Sequence, residues 1–321
     1  MPGLGVTFYP FDLDTPALVR LGREAEARGF DSVFVVEQGV TNDAMAGVQA
    51  IALATSRIKV GPGIANINLR HPALLGAAAV AADELSGGRL ILGIGVNNEA
   101  AVRALGLPWK DPRAALADTA DWLRRVFAGE PPEGVHSVLR AAKRPIPIHF
   151  AGVALETAAL AGQIADGLML YLAPPARARQ MQDRMRAAAQ AAGRPPAAVE
   201  LTLLVPTFLS EPLDAARAAA RRFLGRYAGF PVYARMFQRC GYTAEIEAAA
   251  AARARGDAAG ALAAVSDRML DEVLLLGPAA RCRERLAAFR EAGIDYPLLA
   301  PQPVDDGAEA AGMRLMAAFA R

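Results

Sequence analysis

Hydrophobic positions along this chain fall into two alternating patterns. Short runs of β-branched and large aliphatic residues end in glycine, proline or asparagine, and between them lie longer segments with apolar residues every three or four positions. The stretch 57–98 shows both. Ile58 and Val60 form an extended run that stops at Gly61-Pro62-Gly63. A helix follows, opened by Pro72 and apolar at Leu74, Leu75, Ala78, Ala82 and Leu85. A second apolar run from Leu90 to Ile94 closes at Gly93 and Gly95. Strand, loop, helix, strand is the order of a right-handed parallel βαβ unit. In such sheets the C-terminal strand ends are where ligands bind.

The alternation continues from end to end. Strands are predicted at 4–9, 32–37, 145–152, 168–172, 200–207 and 296–300, with helices over 15–28, 42–55, 113–127, 155–164, 174–192, 213–224, 278–292 and 308–319. Residues 103–109 read as a loop or short helix, and 129–144 as a surface loop. The segment 225–269 breaks the rhythm, with helices near 232–240, 243–255 and 258–270 and no strand between them. It reads as an insertion over one end of the fold. Nine extended runs result once 271–276 is included, and a closed parallel barrel needs eight. The run at 271–276 follows the irregular insertion and is set aside. The expectation is an α/β protein, a (β/α)8 TIM barrel with a helical insertion after the seventh strand, at about 225–270 of a single domain spanning 1–321. An open doubly wound sheet fits less well, because no shift in composition marks a boundary.

Composition narrows the function classes. With 35 basic and 33 acidic residues the net charge is +2, which lacks the basic excess of a nucleic-acid-binding surface. Cys240 and Cys282 are far apart in sequence and are expected to be free thiols in a reducing compartment. No stretch offers about 18 uninterrupted apolar residues, and Met1 to Gly5 carries no basic or apolar leader, so a cytoplasmic location is expected. There is no HExxH, GxSxG or phosphate-binding GKS or GKT motif, and His71, His136 and His149 lack metal-ligand spacing. Gly93-Ile-Gly95 begins like a dinucleotide fingerprint but lacks the third glycine.

Candidate chemistry gathers at the strand ends. Glu37 and Gln38 close the second strand, and Asn97, Asn98 and Glu99 follow the fourth. Gly61 to Ile64 is either a tight turn or a bulge where bare backbone meets a flat ligand. His71 either caps the helix behind it, with Arg70 paired to a carboxylate, or touches a ligand. Residues 152–157 lie between a strand and a helix N-terminus, where free amides attract phosphate. His149 sits within a strand and reads as a core histidine.

These pieces, in this order, resemble the bacterial luciferase-like superfamily of flavin- and deazaflavin-dependent oxidoreductases. The matching segments are Glu24-Ala-Glu-Ala-Arg-Gly-Phe-Asp31, Ile58-Lys-Val-Gly-Pro-Gly-Ile64 with Arg70-His-Pro-Ala73, and Leu85-Ser-Gly-Gly-Arg-Leu-Ile-Leu-Gly-Ile-Gly95. Further matches are Ala161-Gly-Gln-Ile-Ala-Asp-Gly167, Leu276-Gly-Pro and Glu291-Ala-Gly-Ile-Asp295. The resemblance implies a tricyclic cofactor, coenzyme F420 or FMN, across the C-terminal face of the barrel. It implies a non-proline cis peptide at Gly63–Ile64 behind the ring. It also implies ring contacts from Glu37, Gly63, Ile64, Ala65, Asn66, Val96, Asn97 and Asn98, and a phosphate near Gly152 and Val153.

Glu37, Gln38 and His71 are the implied catalytic positions. Many deazaflavin-using members carry Asp-His where this chain has Glu37-Gln38, and a glutamine cannot act as a general base. Val96-Asn97-Asn98 also departs from the family's usual small or glycine-containing pattern. The expected activity is coenzyme F420-dependent hydride transfer with a small organic substrate. The alternatives are an FMN-dependent monooxygenase, served by a separate reductase, and a non-catalytic flavin-binding barrel. A homodimer through helices near the second and third strands is expected.

Overall fold

A computed structural model describes residues 3–37, 42–130 and 140–321. Ten strands alternate with helices: β1 (Gly5–Phe8), β2 (Ser32–Val35), β3 (Lys59–Pro62), β4 (Ala65–Asn66), β5 (Leu92–Gly95), β6 (Ile148–Ala151), β7 (Gly167–Tyr171), β8 (Glu200–Leu209), β9 (Leu275–Gly277) and β10 (Tyr296–Pro301). Every described pairing is parallel, in the order β3-β2-β1-β10-β8-β7-β6-β5-β4, and a parallel bridge between Val60 and Leu90 brings β3 against the start of β5 and closes the ring. Since β4 continues β3 after a two-residue bulge, eight staves make up the barrel. The fold is a TIM barrel.

The helices are α1 (Thr15–Ala27), α2 (Ala44–Ala54), α3 (Pro72–Ser86), α4 (Glu99–Ala104), α5 (Pro112–Ala128), α6 (Leu155–Ile164), α7 (Pro175–Ala191), α8 (Leu213–Tyr227), α9 (Pro231–Arg239), α10 (Thr243–Ala254), α11 (Ala258–Ala263), α12 (Asp267–Val273), α13 (Ala279–Glu291) and α14 (Ala308–Ala318). Local chemistry sets several of their starts. Asp14, Asp43, His71, Asn98, Asp111, Asp257 and Ser266 each accept a backbone N–H from the first turn.

Two departures from the sequence reading trace to such caps. Asn98 starts α4, so residues 99–104 are helical before the expected loop begins. Ser266 starts α12, which carries the helix through Val273, into the run expected to be extended, and splits the predicted 258–270 helix in two. Only Leu275–Gly277 remains as strand. It pairs with the far end of β8, outside the barrel ring, as the demotion of that run anticipated.

Three apolar clusters hold these layers. The largest lies between the strands and the outer helices. A second fills the barrel itself with Phe34, Ile91, Met169, Leu204 and Leu298, joined by Ile64, Ala151 and Tyr171. A third lies beneath the insertion, around Leu172, Phe208, Leu224, Phe237, Tyr242 and Met269.

The N-terminal end of the barrel is closed by side chains that satisfy backbone groups. The Glu26 carboxylate accepts from the amides of Ser56, Arg57 and Ile58, at 3.0, 2.6 and 2.8 Å. Burial pushes that carboxyl up, but the three amides outweigh it and hold it below the usual range. Asp31, Asp166 and Asp295 repeat one device, each accepting from an amide at or beside the start of a neighbouring strand: Leu4 (2.8 Å), Ile148 (2.9 Å) and Leu201 (2.8 Å). Arg89 donates to the carbonyls of Ala52, Thr55, Ile58 and Ser86 and to the Thr55 hydroxyl, so one guanidinium closes the C-termini of α2 and α3 and the approach to β3. Cys240 and Cys282 are both free. Among the described residues no helix is long and apolar enough to cross a membrane, and no side-chain cluster could hold a metal ion.

Candidate active site

At the C-terminal end of the barrel the strand ends converge on a bulge. The Gly63–Ile64 peptide bond is cis. Gly63 donates to the Val35 carbonyl at 2.8 Å, and β4 then pairs with β5, Ala65 opposite Ile94 and Asn66 opposite Gly95. The two glycines of β5 make this possible. A Cβ on Gly93 would lie 2.4 Å from the Pro62 carbonyl oxygen, and one on Gly95 would lie 2.8 Å from the Ile64 side chain. Any larger residue at either place would push the bulge away. The Gly93-Ile-Gly95 pattern is thus a packing requirement between two neighbouring strands.

Beside the bulge, Glu37 is buried and fully engaged. Its carboxylate accepts from the amides of Asn66 (2.7 Å) and Ala44 (3.4 Å), and from Arg70 Nη1 at 2.5 and 2.6 Å. Arg70 also donates to Asp43 at 2.7 Å. Burial lowers the Arg70 guanidinium, but the two carboxylates outweigh it and raise it overall. Glu37 and Arg70 therefore form a clamp that ties the end of β2 to β4 and to the start of α2. A buried pair of this kind holds geometry more than it supplies net stability. Asn66 Oδ1 accepts from the Asn68 amide at 3.0 Å, and Asn68 Nδ2 donates to the Val96 carbonyl at 2.8 Å. Asn97 adopts a left-handed conformation (φ 61°), which asparagine tolerates, and its side chain accepts from the Asn98 amide.

The remaining sequence candidates fall as follows. His71 is exposed, caps α3 by accepting from the Ala73 amide at 3.2 Å, and meets Trp122 of α5 edge-on. It behaves as the cap reading described, and Arg70 as the partner of a carboxylate. Gln38 lies outside the described residues, as does His136. His149 is buried near the base of β6, where burial pushes its imidazole down to about 4. Gly152 and Val153 lead into α6, whose N-terminus has no side-chain cap. Gly152 has no room for a side chain, since a Cβ there would lie 2.6 Å from Thr157.

Two features of this end escaped the sequence reading. Arg177, in the first turn of α7, is buried and donates Nη2 to the Val153 carbonyl at 2.9 Å, while its Nε is buried with no partner. An unpaired buried donor beside an uncapped helix N-terminus suits an anion. Tyr9 and Tyr171 stand at the ends of β1 and β7. The test that singled out Glu37, a polar group closing a strand, applies to both and would have found them.

A closed parallel barrel with a glycine-backed wall at its C-terminal face defines the class: a TIM-barrel protein. The chain belongs to the luciferase-like monooxygenase family, whose model matches residues 10–296. It is similar over 319 residues, with 25% identity and 96% of each chain covered, to 5,10-methylenetetrahydromethanopterin reductase of Methanolobus tindarius. The fold is shared with the coenzyme F420-dependent tetrahydromethanopterin reductase of Methanopyrus kandleri (TM-score 0.84, 22% identity, 99% and 97% of the two chains). It is shared also with the oxygenating constituent of 3,6-diketocamphane monooxygenase of Pseudomonas putida in complex with FMN (TM-score 0.70, 17% identity, 100% and 97%).

Proposed function

We propose that this protein is an oxidoreductase that uses coenzyme F420 for hydride transfer with a small organic substrate. The observation that carries the reading is the pairing of two features on one face. One is a flat backbone wall at residues 63–66, kept clear by Gly93 and Gly95; the other is the uncapped α6 N-terminus with the buried Arg177 beside it. A planar ring fits the first and a phosphate the second. Similarity along nearly the whole chain to an enzyme named as a methylenetetrahydromethanopterin reductase favours the deazaflavin over FMN. The bound coenzyme would supply a two-electron hydride step at its ring carbon. The protein's part is to hold the ring between Ile64 and the substrate, to seat the phosphate on the amides after Val153, and to keep water from the ring.

Titrating purified protein into coenzyme F420 and into FMN, while following fluorescence, separates the cofactors. Micromolar quenching of F420 with weaker effect on FMN is expected. Tight FMN binding without F420 binding would instead favour a monooxygenase fed by a separate reductase, and binding of neither would favour a non-catalytic barrel.

The same reading includes a homodimer. The outward faces of α2 and α3 are apolar nearly throughout, with Ala46 and Leu53 (68% exposed) on one and Leu74 (64%), Ala77 and Leu85 (42%) on the other. Adjacent helices that are apolar on their solvent side suit burial against a second copy. Light scattering should give twice the chain mass for the wild type and a monomer for the Leu53→Glu, Leu74→Glu double variant. A monomeric wild type would refute the dimer.

A further inference from the structure

Charge is balanced over the whole chain but not within the insertion. Between Asp214 and Glu245 lie six arginines and no acidic residue, a stretch that takes in most of α8 and all of α9. Arg217 and Arg221 are paired with Asp267 and Asp271. Arg222, Arg226, Arg235 and Arg239 are exposed and have no carboxylate partner among the described residues.

The orientation of α9 is set by its inner side. Tyr233 meets Tyr171 and Tyr227 with ring centroids 6.0 and 5.3 Å apart, in a cluster of phenols completed by Tyr9 at 6.3 Å from Tyr171. Met236 and Phe237 are buried beneath the insertion. Helical periodicity then brings Val232, Arg235 and Arg239 together on the opposite, exposed side. Arg235 and Arg239 stand about one turn apart and form a short row of positive charge along the helix.

That row ends beside the loop that leads into α6. Val153, whose carbonyl accepts from Arg177, and Cys240, which closes α9, pack against the same apolar cluster. Burial lowers the Arg177 guanidinium; Cys240 and Glu156 act against this, and the charge of Arg239 acts with it. Arg239 is thus close enough to Arg177 for the two cations to feel each other, and an anion reaching from one to the other relieves their repulsion.

FMN ends at its phosphate, so a site for it has no use for positive charge farther out. Coenzyme F420 continues past its phosphate through a lactyl group into a chain of γ-linked glutamates, each with a free carboxylate. We propose that Arg239 and Arg235 bind these carboxylates, so that the coenzyme's tail leaves the phosphate site along the outer face of α9. Resting on the coenzyme F420 reading above, this adds a subsite and a preference for long-tailed forms. Arg226, stacked on the Phe223 and Tyr227 rings at the corner before α9, continues the charge in the direction a longer chain would run. The planar guanidinium suits a carboxylate, but exposed pairs are individually weak and screened by salt. The tail therefore adds a modest factor to binding and leaves the ring and phosphate as the main anchors.

The test compares fluorescence quenching of long-tailed coenzyme F420 with that of the form lacking glutamates. At low salt the wild type should bind the long-tailed form about five- to tenfold more tightly, and high salt should remove the difference. The Arg235→Gln, Arg239→Gln double variant should bind both forms alike, with FMN quenching and thermal denaturation as in wild type. Arg20→Gln, which removes an exposed arginine of α1 paired with Glu309, should keep the preference. Equal binding of both forms by wild type, an undiminished preference in the double variant, or the same loss in Arg20→Gln overturns the tail subsite and leaves the coenzyme reading standing. Binding of neither form removes both.

Discussion

The two ends of this barrel differ in how their charged side chains are partnered. At the N-terminal end each carboxylate and guanidinium described above has backbone partners: Glu26 with three amides, Arg89 with four carbonyls and a hydroxyl, and Asp31, Asp166 and Asp295 with one strand amide each. At the C-terminal end, Arg177 Nε is buried without a partner. The satisfied groups hold the staves in register. The C-terminal end is itself divided, because the Glu37–Arg70 clamp belongs by its hydrogen bonding to the scaffold.

The largest effect that would test this contrast is at Arg89. Replacing it with alanine orphans four carbonyls at once and should cost about 4 kcal/mol in urea denaturation. A loss under 1 kcal/mol would mean that water replaces the guanidinium easily. Next is Arg70→Ala, which leaves the Glu37 carboxylate buried and unpaired; about 3 kcal/mol is expected. If this variant stays near wild-type stability and loses only cofactor binding, Glu37 belongs with the ligand-binding groups.

A third, smaller effect depends on pH. His149 is held neutral down to about 4, so between there and the ordinary imidazole value near 6.5 the unfolded chain binds the extra proton. Stability should therefore fall as pH drops through that window, by at most about 3 kcal/mol, and His149→Gln should flatten the slope there. The smallest effect is predicted for Tyr171→Phe: losing the hydroxyl's contacts with Tyr9 and Tyr227 should cost about 1 kcal/mol. A gain in stability would show that the hydroxyl is unpaired in the folded chain.

The same contrast explains what the sequence made legible. The segments that carried the family resemblance, around Glu26 and Asp31, Arg89, Asp166 and Asp295, are largely the pins of the N-terminal end. Their spacing is fixed by which strand each must reach, so they appear as ordered local motifs and give the barrel, its strand order and the bulge. Gly93 and Gly95 were visible too, though their reason, room for Pro62 and Ile64, lies on another strand. The phenol cluster was not legible. Tyr9, Tyr171, Tyr227 and Tyr233 come from β1, β7, α8 and α9, far apart in the chain, and no periodicity links them. Arg177 was hidden in the same way among the arginines of an ordinary helix. The 271–276 run misled because apolar helix positions and a three-residue strand look alike at that length.

The insertion is joined to the barrel by an unbroken stave. β8 runs for ten residues, pairing with β10 along Thr202–Thr207 and then, beyond the rim, with β9 along Thr207–Leu209. The cover over the tyrosines is therefore cantilevered from the wall, with no flexible joint on that side. Amide exchange at Phe208 and Leu276 should be as slow as in the barrel core, while that of α9 is faster.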